Sequence, residues 1–425
     1  MEDFSIGNFY DTNLTGFDNY ISDNLTIGST PDNISKTTEL CTNEYCVSDE
    51  EYISMIEDYI FPNPYEWVLV AFHITVFFVG LIGNALVCIS VYRNHSMRTV
   101  TNYFIVNLAV ADFLVILVCL PPTVLWDVTE TWFFGKIMCK LVLYLQTVSV
   151  SVSVLTLTFI SVDRWYAICY PLRFKSTAFR AKTSILIIWL MSLLLVLPEA
   201  IVLDTRRHPN IQGDVDYLTD CVPTWSDGDT TIYQLFLILI LYISPFILMS
   251  IAYYQIAKVL WNKNIPGSSE TTVRHSRKLT VKHIDKNGTT KFQPVNQNCE
   301  GQIRSRRKAA KMLIAVVVMF GLCYLPVHLI NALRYTIGLP QSHATTVASL
   351  ISHWLCYGNS AVNPLIYNFM NGKFRKEFKN VFTCKCLRST YPRTRTVNNT
   401  TYPYRFASSF THCENINMNS ITRNS

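Results

Sequence analysis

Charge is what this sequence has least of. Asp, Glu, Lys and Arg make up 16% of its 425 residues, against roughly 25% in an ordinary soluble domain. That scarcity argues against a chain wetted on all sides. Several signatures of chemistry are also missing. No His-Glu-x-x-His and no Gly-x-Ser-x-Gly occurs, which removes the common zinc-peptidase and serine-hydrolase readings. Neither an internal repeat nor a ring of pore charges is visible, which argues against a transporter or channel. The opening "MEDFSIGNFY" has neither the basic nor the apolar region of a secretory leader, so the first apolar segment is expected to act as its own insertion signal. Basic residues are nearly absent from 1–66, where fourteen Asp or Glu accompany Lys36 alone.

What is present is apolar length. Seven runs, 67–92, 102–126, 136–161, 184–204, 231–260, 311–335 and 345–370, each reach the roughly 18–20 residues that a helix needs to cross the hydrocarbon core. In lipid every backbone polar group must be bonded within its own segment, so these runs are helices. The Val–Ser alternation of 147–153 has the period of a strand but takes the same reading. Its serines can bond a carbonyl one turn back or a neighbouring helix. The expected fold is an all-α membrane protein: a seven-helix bundle with a short amphipathic membrane-surface helix after the seventh span.

Basic residues set the orientation. Arg93 and Arg98, then Arg164, Arg173, Lys175, Arg180 and Lys182, then Lys278, Lys282, Arg304, Arg306, Arg307 and Lys308 lie in the first, second and third alternate connections. The positive-inside rule puts these in the cytosol and the N-terminus outside, as in a multi-pass protein of the plasma membrane. The net charge of +6 reads as topology and attraction to anionic lipid, not as nucleic-acid binding.

This topology sorts the remaining motifs. Asn13, Asn24 and Asn33 begin sequons in the outer segment 1–66 and are plausible glycosylation sites. Cys139, at the outer end of the third span, and Cys221, in the 205–230 loop, share an oxidising compartment, where a bridge would pin the loop over the bundle. Cys41 and Cys46 can pair locally or stay free. A helix is expected near 48–60, where Ser48 and Glu51 fit a capping box and Ile53, Ile56 and Ile60 share a face. The bundle spans 67–370, with a polar cytosolic loop at 261–311 expected to lack order except at its ends. In 371–387, Phe374, Phe378 and Phe382 recur every fourth residue among Lys and Arg, a pattern that lies flat on a membrane. Cys384 and Cys386 beside it are palmitoylation candidates. The tail, 388–425, is rich in Ser and Thr and reads as a flexible phosphorylation substrate.

Polar groups inside a membrane are costly, so each is a candidate site. Asp112 in "LAVADF" is expected to be the only acid well inside a span. Asn84, Ser153, Asn359 and Ser360 are available on other spans to meet it. A carboxylate among amides and hydroxyls can hold a sodium ion or a proton, or serve a purely structural network. No other cofactor is suggested.

Asn84 in "GNALV", Asp112 in "NLAVADF", Asp163-Arg164-Trp165, Trp189, Pro245, "CYLP" at 323–326 and "NPLIY" at 363–367 occur in order, one on each span. Together they resemble the rhodopsin-like (class A) G-protein-coupled receptors over 65–385. The resemblance implies a signalling receptor and no enzyme, with heterotrimeric G protein, receptor kinases, arrestin and membrane lipid as partners. It implies that Asp163 holds Arg164 at rest, that Arg164 meets Tyr253 and Tyr367 on activation, and that Asn363 and Pro364 belong to the switch. Pro326 and Pro364 each remove a helix hydrogen bond.

"RNHSMRTVTNYFIVNLAVAD", "DVTETWFFG", "YLQTVSVSVSVLTL", "DRWYAICYPLRFKSTA", "NIPGSS", "RRKAAKML" and "NFMNGKFRKEFK" look like the orexin receptors and their invertebrate relatives, the allatotropin receptors. That resemblance implies an amidated extracellular peptide as ligand. The ligand pocket it implies comprises Thr123, Asp127, Gln146, Asn331, His353 and Tyr357, with Tyr324 as trigger. It also implies the calcium-mobilising G proteins. The sequence departs from the orexin pattern at Val222 and Pro223 after Cys221, and at Tyr335 after Arg334. Both places lie at the peptide entrance, which favours the allatotropin type.

Overall fold

The computed structural model describes residues 48–170, 177–207, 217–262, 280–284, 290–339 and 343–383. Asn13, Asn24, Asn33, Cys41, Cys46, Cys384, Cys386 and the Ser/Thr-rich tail lie outside the described residues.

A helix, α1, covers Asp49–Ile60 and begins where the Ser48 hydroxyl accepts the Glu51 N–H at 3.3 Å. The first span, α2 (Pro64–Arg93), starts with a proline whose missing N–H is lost to no bond, while Glu66 reaches back to the Asn63 N–H at 2.7 Å. The second and third spans are α3 (Val100–Thr129) and α4 (Gly135–Cys169). The fourth, α5 (Ala178–Leu195), passes into a short helix, α6 (Leu197–Val202). A hairpin follows: β1 (Leu203–Arg206) pairs antiparallel with β2 (Asp220–Pro223), setting Thr205 opposite Cys221. The remaining spans are α7 (Asp227–Trp261), α8 (Val295–Ile337) and α9 (His343–Met370), and α10 (Gly372–Phe382) closes the described chain.

The molecule is a seven-helix membrane bundle. Among the described residues, six helices are long and apolar enough to cross a bilayer by composition alone. The seventh, α9, is diluted by His353, Asn359, Ser360 and Asn363. Its polarity belongs to the interior of the bundle, where three of these four side chains are buried. The lipid-facing surface is apolar instead, with Phe72, Phe78, Leu190, Ile251 and Leu329 exposed.

Prolines shape two spans. A π-helical turn at Val115–Cys119 precedes Pro121 and Pro122, and another at Leu239–Ile243 precedes Pro245. A proline ring clashes with the carbonyl one turn back and donates no bond, and widening the preceding turn relieves both. Two glycines permit close helix approach. A Cβ on Gly83 would sit 2.8 Å from the Pro364 ring, and one on Gly321 would sit 2.5 Å from Phe246.

The Val–Ser stretch lies within α4, and Ser149, Ser151 and Ser153 are all buried. Ser151 donates to Ser192 of α5 at 2.9 Å. Deeper along α5, the Trp189 indole donates to Asn107 of α3 at 2.8 Å, and Asn107 donates to Thr156 at 2.8 Å. These bonds satisfy polar atoms that lipid would leave bare.

Two expectations need correction. The connection at 261–311, expected to lack order except at its ends, carries a hairpin away from them. Residues 280–284 (β3) and 290–294 (β4) pair antiparallel, and α8 begins at Val295, well before 311. A span supplies the costly helix nucleus, and "RSRRKAAK" at 304–311 then extends it with good helix formers at little cost. The phenylalanines of α10 do not all face a membrane surface either. Phe374 and Phe378 are buried against the bundle, Phe374 stacking on Tyr367 at 5.6 Å, and only Phe382 is exposed. Apolar spacing set the stripe; the neighbouring foot of α9 took most of it from lipid.

Candidate ligand cavity and switch network

Cys139 at the start of α4 is bonded to Cys221 in β2. This tie draws the hairpin over one end of the bundle, called here the disulfide end. The Trp126 indole fixes the hairpin again by donating to Asp220 at 3.3 Å, and Lys136 pairs with Asp204 at 2.7 Å. Beneath lies a cavity of about 1030 Å³, large for a small-molecule site.

All six side chains expected in a ligand pocket line this one cavity. Three of them are joined. The Tyr357 hydroxyl donates to Gln146 Oε1 at 3.1 Å, and the Thr123 hydroxyl donates to the same atom at 3.4 Å. Asp127 meets His353 Nδ1 at 2.9 Å. Asn331 lies on the α8 wall, with no bond to the others among the described contacts. Two hydroxyls on one carbonyl oxygen hold the Gln146 amide by its acceptor, so its donors are what a ligand meets.

Tyr324 also lines the cavity and is buried. Its ring lies 4.7 Å from Phe320 and 6.0 Å from His328, and His328 packs 4.5 Å from Tyr242. Tyr242 in turn donates to the Gly321 carbonyl at 2.9 Å. This column of rings joins the cavity to the core, so Tyr324 cannot turn without displacing Phe320.

Below the column, Asp112 accepts from Ser360 and from Asn363, each at 2.9 Å, and Ser153 faces the same carboxylate. Asn84 donates to the carbonyls of Gly80 and Ser360, both at 3.0 Å. Among the described residues, the buried side-chain oxygens of Asn84, Asn359 and Asn363 have no donor. A carboxylate beside orphaned amide oxygens is an oxygen-only set of the kind a hard cation takes, so these residues fit a sodium ion.

At the opposite end, Arg164 is paired to the adjacent Asp163, with Nε donating at 3.0 Å to the same oxygen that its Nη2 contacts. Tyr253 is buried with its hydroxyl toward Ser161, and Tyr367 packs on Phe374. Neither tyrosine is among the groups bonded to Arg164. Trp165 donates to Gln255 of α7 at 2.6 Å.

α1 covers the disulfide end. Tyr52 and Ile56 are buried with Leu218 of the loop before β2. The Tyr59 hydroxyl donates to Glu130 at 2.9 Å, and the Tyr217 hydroxyl donates to Glu57 at 3.0 Å. Burial pushes the Glu130 carboxyl above its ordinary range. The Tyr59 bond opposes that shift, and neighbouring Asp220 and Glu66 add to it.

Asp112 is not the only buried acid within the expected spans. Glu199, in α6 at the end of the 184–204 run, is more than nine-tenths buried and lines the cavity. "LPEA" puts this acid near the end of an apolar run, and the turn into α6 directs it inward.

Residues 83–367 match the family described as 7 transmembrane receptor (rhodopsin family). The chain is also similar to the QRFP-like peptide receptor of Branchiostoma floridae, 30% identical over 324 residues that cover 76% of this chain and 79% of that protein.

Proposed function

The chain belongs to the rhodopsin family of seven-transmembrane receptors, signalling proteins rather than enzymes, and we propose that it is a plasma-membrane receptor for an extracellular amidated neuropeptide of the allatotropin type. In this reading the disulfide end faces outward and the Arg164 end faces a heterotrimeric G protein, of the calcium-mobilising class. Receptor kinases and arrestin act on the same face after activation. One observation carries the ligand reading: the cavity floor presents an uncharged, pre-held amide at Gln146. A neutral C-terminal amide pairs with such a floor without burying an unmatched charge. The relative named for a peptide supports the ligand class.

Activation follows from the arrangement. A peptide entering beneath the hairpin competes for Tyr357 and Thr123 and presses on Tyr324, and the ring column carries that displacement to Phe320. Two packings of α8 against α4 and α7 are then biased by differential contact with the ligand. Asp112, Ser153, Asn359 and Ser360 would hold a sodium ion, whose charge favours the packing that keeps those oxygens together. Palmitate on Cys384 and Cys386 and glycans at Asn13, Asn24 and Asn33 complete the proposal.

The departures at Val222, Pro223 and Tyr335 favour an allatotropin-type over an orexin-type peptide, and the Branchiostoma relative makes a QRFP-like peptide the second reading. A calcium-response screen with amidated allatotropin-like, orexin-like and QRFP-like peptides tests this. Nanomolar response to the allatotropin-like peptide with weak response to the others is expected. Equal potency of the free-acid forms would remove the amide reading.

A further inference from the structure

Away from the Gln146 floor, the α6–α7 wall of the cavity carries polar atoms without partners. Glu199 is more than nine-tenths buried, and its Oε2 has no hydrogen bond among the described residues. Tyr233 Oη and Trp225 Nε1 are likewise buried and unbonded. The three belong together. Tyr233 lies in the electrostatic field of Glu199, and the Trp225 and Tyr233 rings are 5.2 Å apart. All three residues line the cavity. Thr147, the neighbour of Gln146, faces the same carboxylate from α4.

A carboxylate oxygen shut from water without a donor is costly, and each orphaned neutral group adds to the cost. Such groups are tolerated where a ligand completes them. The missing partner is defined by what the wall offers: one carboxyl group that a cation would hold ionised, a phenol that donates or accepts, and two aromatic faces. A planar cation with several donors satisfies the carboxylate and the phenol together and lies against the rings. On the reading of the cavity as a peptide site, we infer that Glu199, Tyr233 and Trp225 form a second subsite that takes a cationic side chain of the ligand, a guanidinium in preference to an ammonium. The peptide then spans the cavity, with its neutral end at Gln146 and a basic residue at Glu199. Arg334 lines the α8 side and donates to Ser349; its charge disfavours a cation placed next to it and so confines the cationic residue to the Glu199 wall.

The test uses small probes on the purified full chain and needs no identified peptide. Argininamide is compared with citrullinamide, which has the same shape without the guanidinium charge. At saturating probe, argininamide is expected to raise Tm by about 2–4 °C more than citrullinamide does. Glu199→Gln is expected to abolish that difference. Equal shifts from the two probes on the unaltered receptor overturn the inference, and this arm requires no variant to fold. A difference that survives Glu199→Gln also overturns it, because the cation then binds elsewhere. Failure of the calcium screen leaves this measurement intact, so the two readings fail separately.

Discussion

Gln146 holds two hydroxyl donors on one oxygen, from Tyr357 and Thr123. Truncating it would orphan those hydroxyls inside the cavity and remove the proposed ligand contact. Gln146→Ala is therefore expected to weaken agonist potency at least tenfold, about 1.4 kcal/mol, with surface expression unchanged. Unchanged potency in a calcium assay would remove Gln146 from the ligand site. Asp112 makes the sharper electrostatic case. Its carboxylate is the formal charge among the buried oxygens around it. Asp112→Asn keeps the shape and removes that charge, so sodium is expected to lower agonist affinity in the unaltered receptor and to have no effect in the variant. Radioligand competition in sodium against a large organic cation measures this; equal sodium sensitivity in both would leave the network purely structural.

Elements succeed or fail by their contacts. α1 rests on the apolar pair Tyr52 and Ile56 and on the bond from Tyr59 to Glu130. The Glu130 carboxyl is held above its ordinary value, chiefly by burial. A carboxyl raised in the docked state binds more protons there than when free. Its contribution to docking is complete below the ordinary carboxylate range and is lost as pH rises through the raised value. Hydrogen-exchange protection of residues 52–60, taken relative to the base-catalysed intrinsic rate, is expected to fall across that window, and Glu130→Gln to flatten the dependence. A profile indifferent to pH in the unaltered chain would count against this origin of the docking. Gly83 is a second contact-limited place. Its facing group, 2.8 Å from an added Cβ, is the Pro364 ring, which cannot rotate aside. Gly83→Ala is expected to cost about 1–3 kcal/mol in overpacking, read as a lower Tm, whereas an unchanged Tm would mean that α2 and α9 part without cost. The two helices differ in how readily sequence revealed them. Length and apolarity marked the spans, and Ser48 with its following isoleucines marked α1. What sequence hid was which side of a stripe meets protein. The phenylalanines of α10 carry the same spacing whether they face lipid or Tyr367, and nothing in the spacing of "LPEA" shows that α6 turns Glu199 inward.

At the scale of the whole molecule, the cavity and the Arg164 end are separate sites joined by α4, which carries Gln146, Ser153 and Arg164 on one 35-residue helix. The ordered motifs made this joining legible, because each sits on a different span and only a bundle brings them together. The convergence of six pocket residues on one cavity follows from that. The unpartnered wall at Glu199 does not, because orphaned atoms are a property of packing and leave no spacing in a sequence. The pairing at the Arg164 end is also a packing property. Arg164 is held by Asp163, with both side chains largely shielded from solvent, while Tyr253 and Tyr367 are engaged elsewhere. Asp163→Asn removes the charge that holds the guanidinium but leaves the helix intact. If the pair favours the resting packing by about 1.4 kcal/mol, its loss raises the active fraction about tenfold. Ligand-free nucleotide exchange on reconstituted G protein is expected to rise by that order, while Arg164→Ala, which removes the group that would meet the G protein, lowers agonist-driven exchange. Basal exchange unchanged in Asp163→Asn, with normal expression, would mean that the resting packing is set by the ring column at Tyr324 and not by the ion pair.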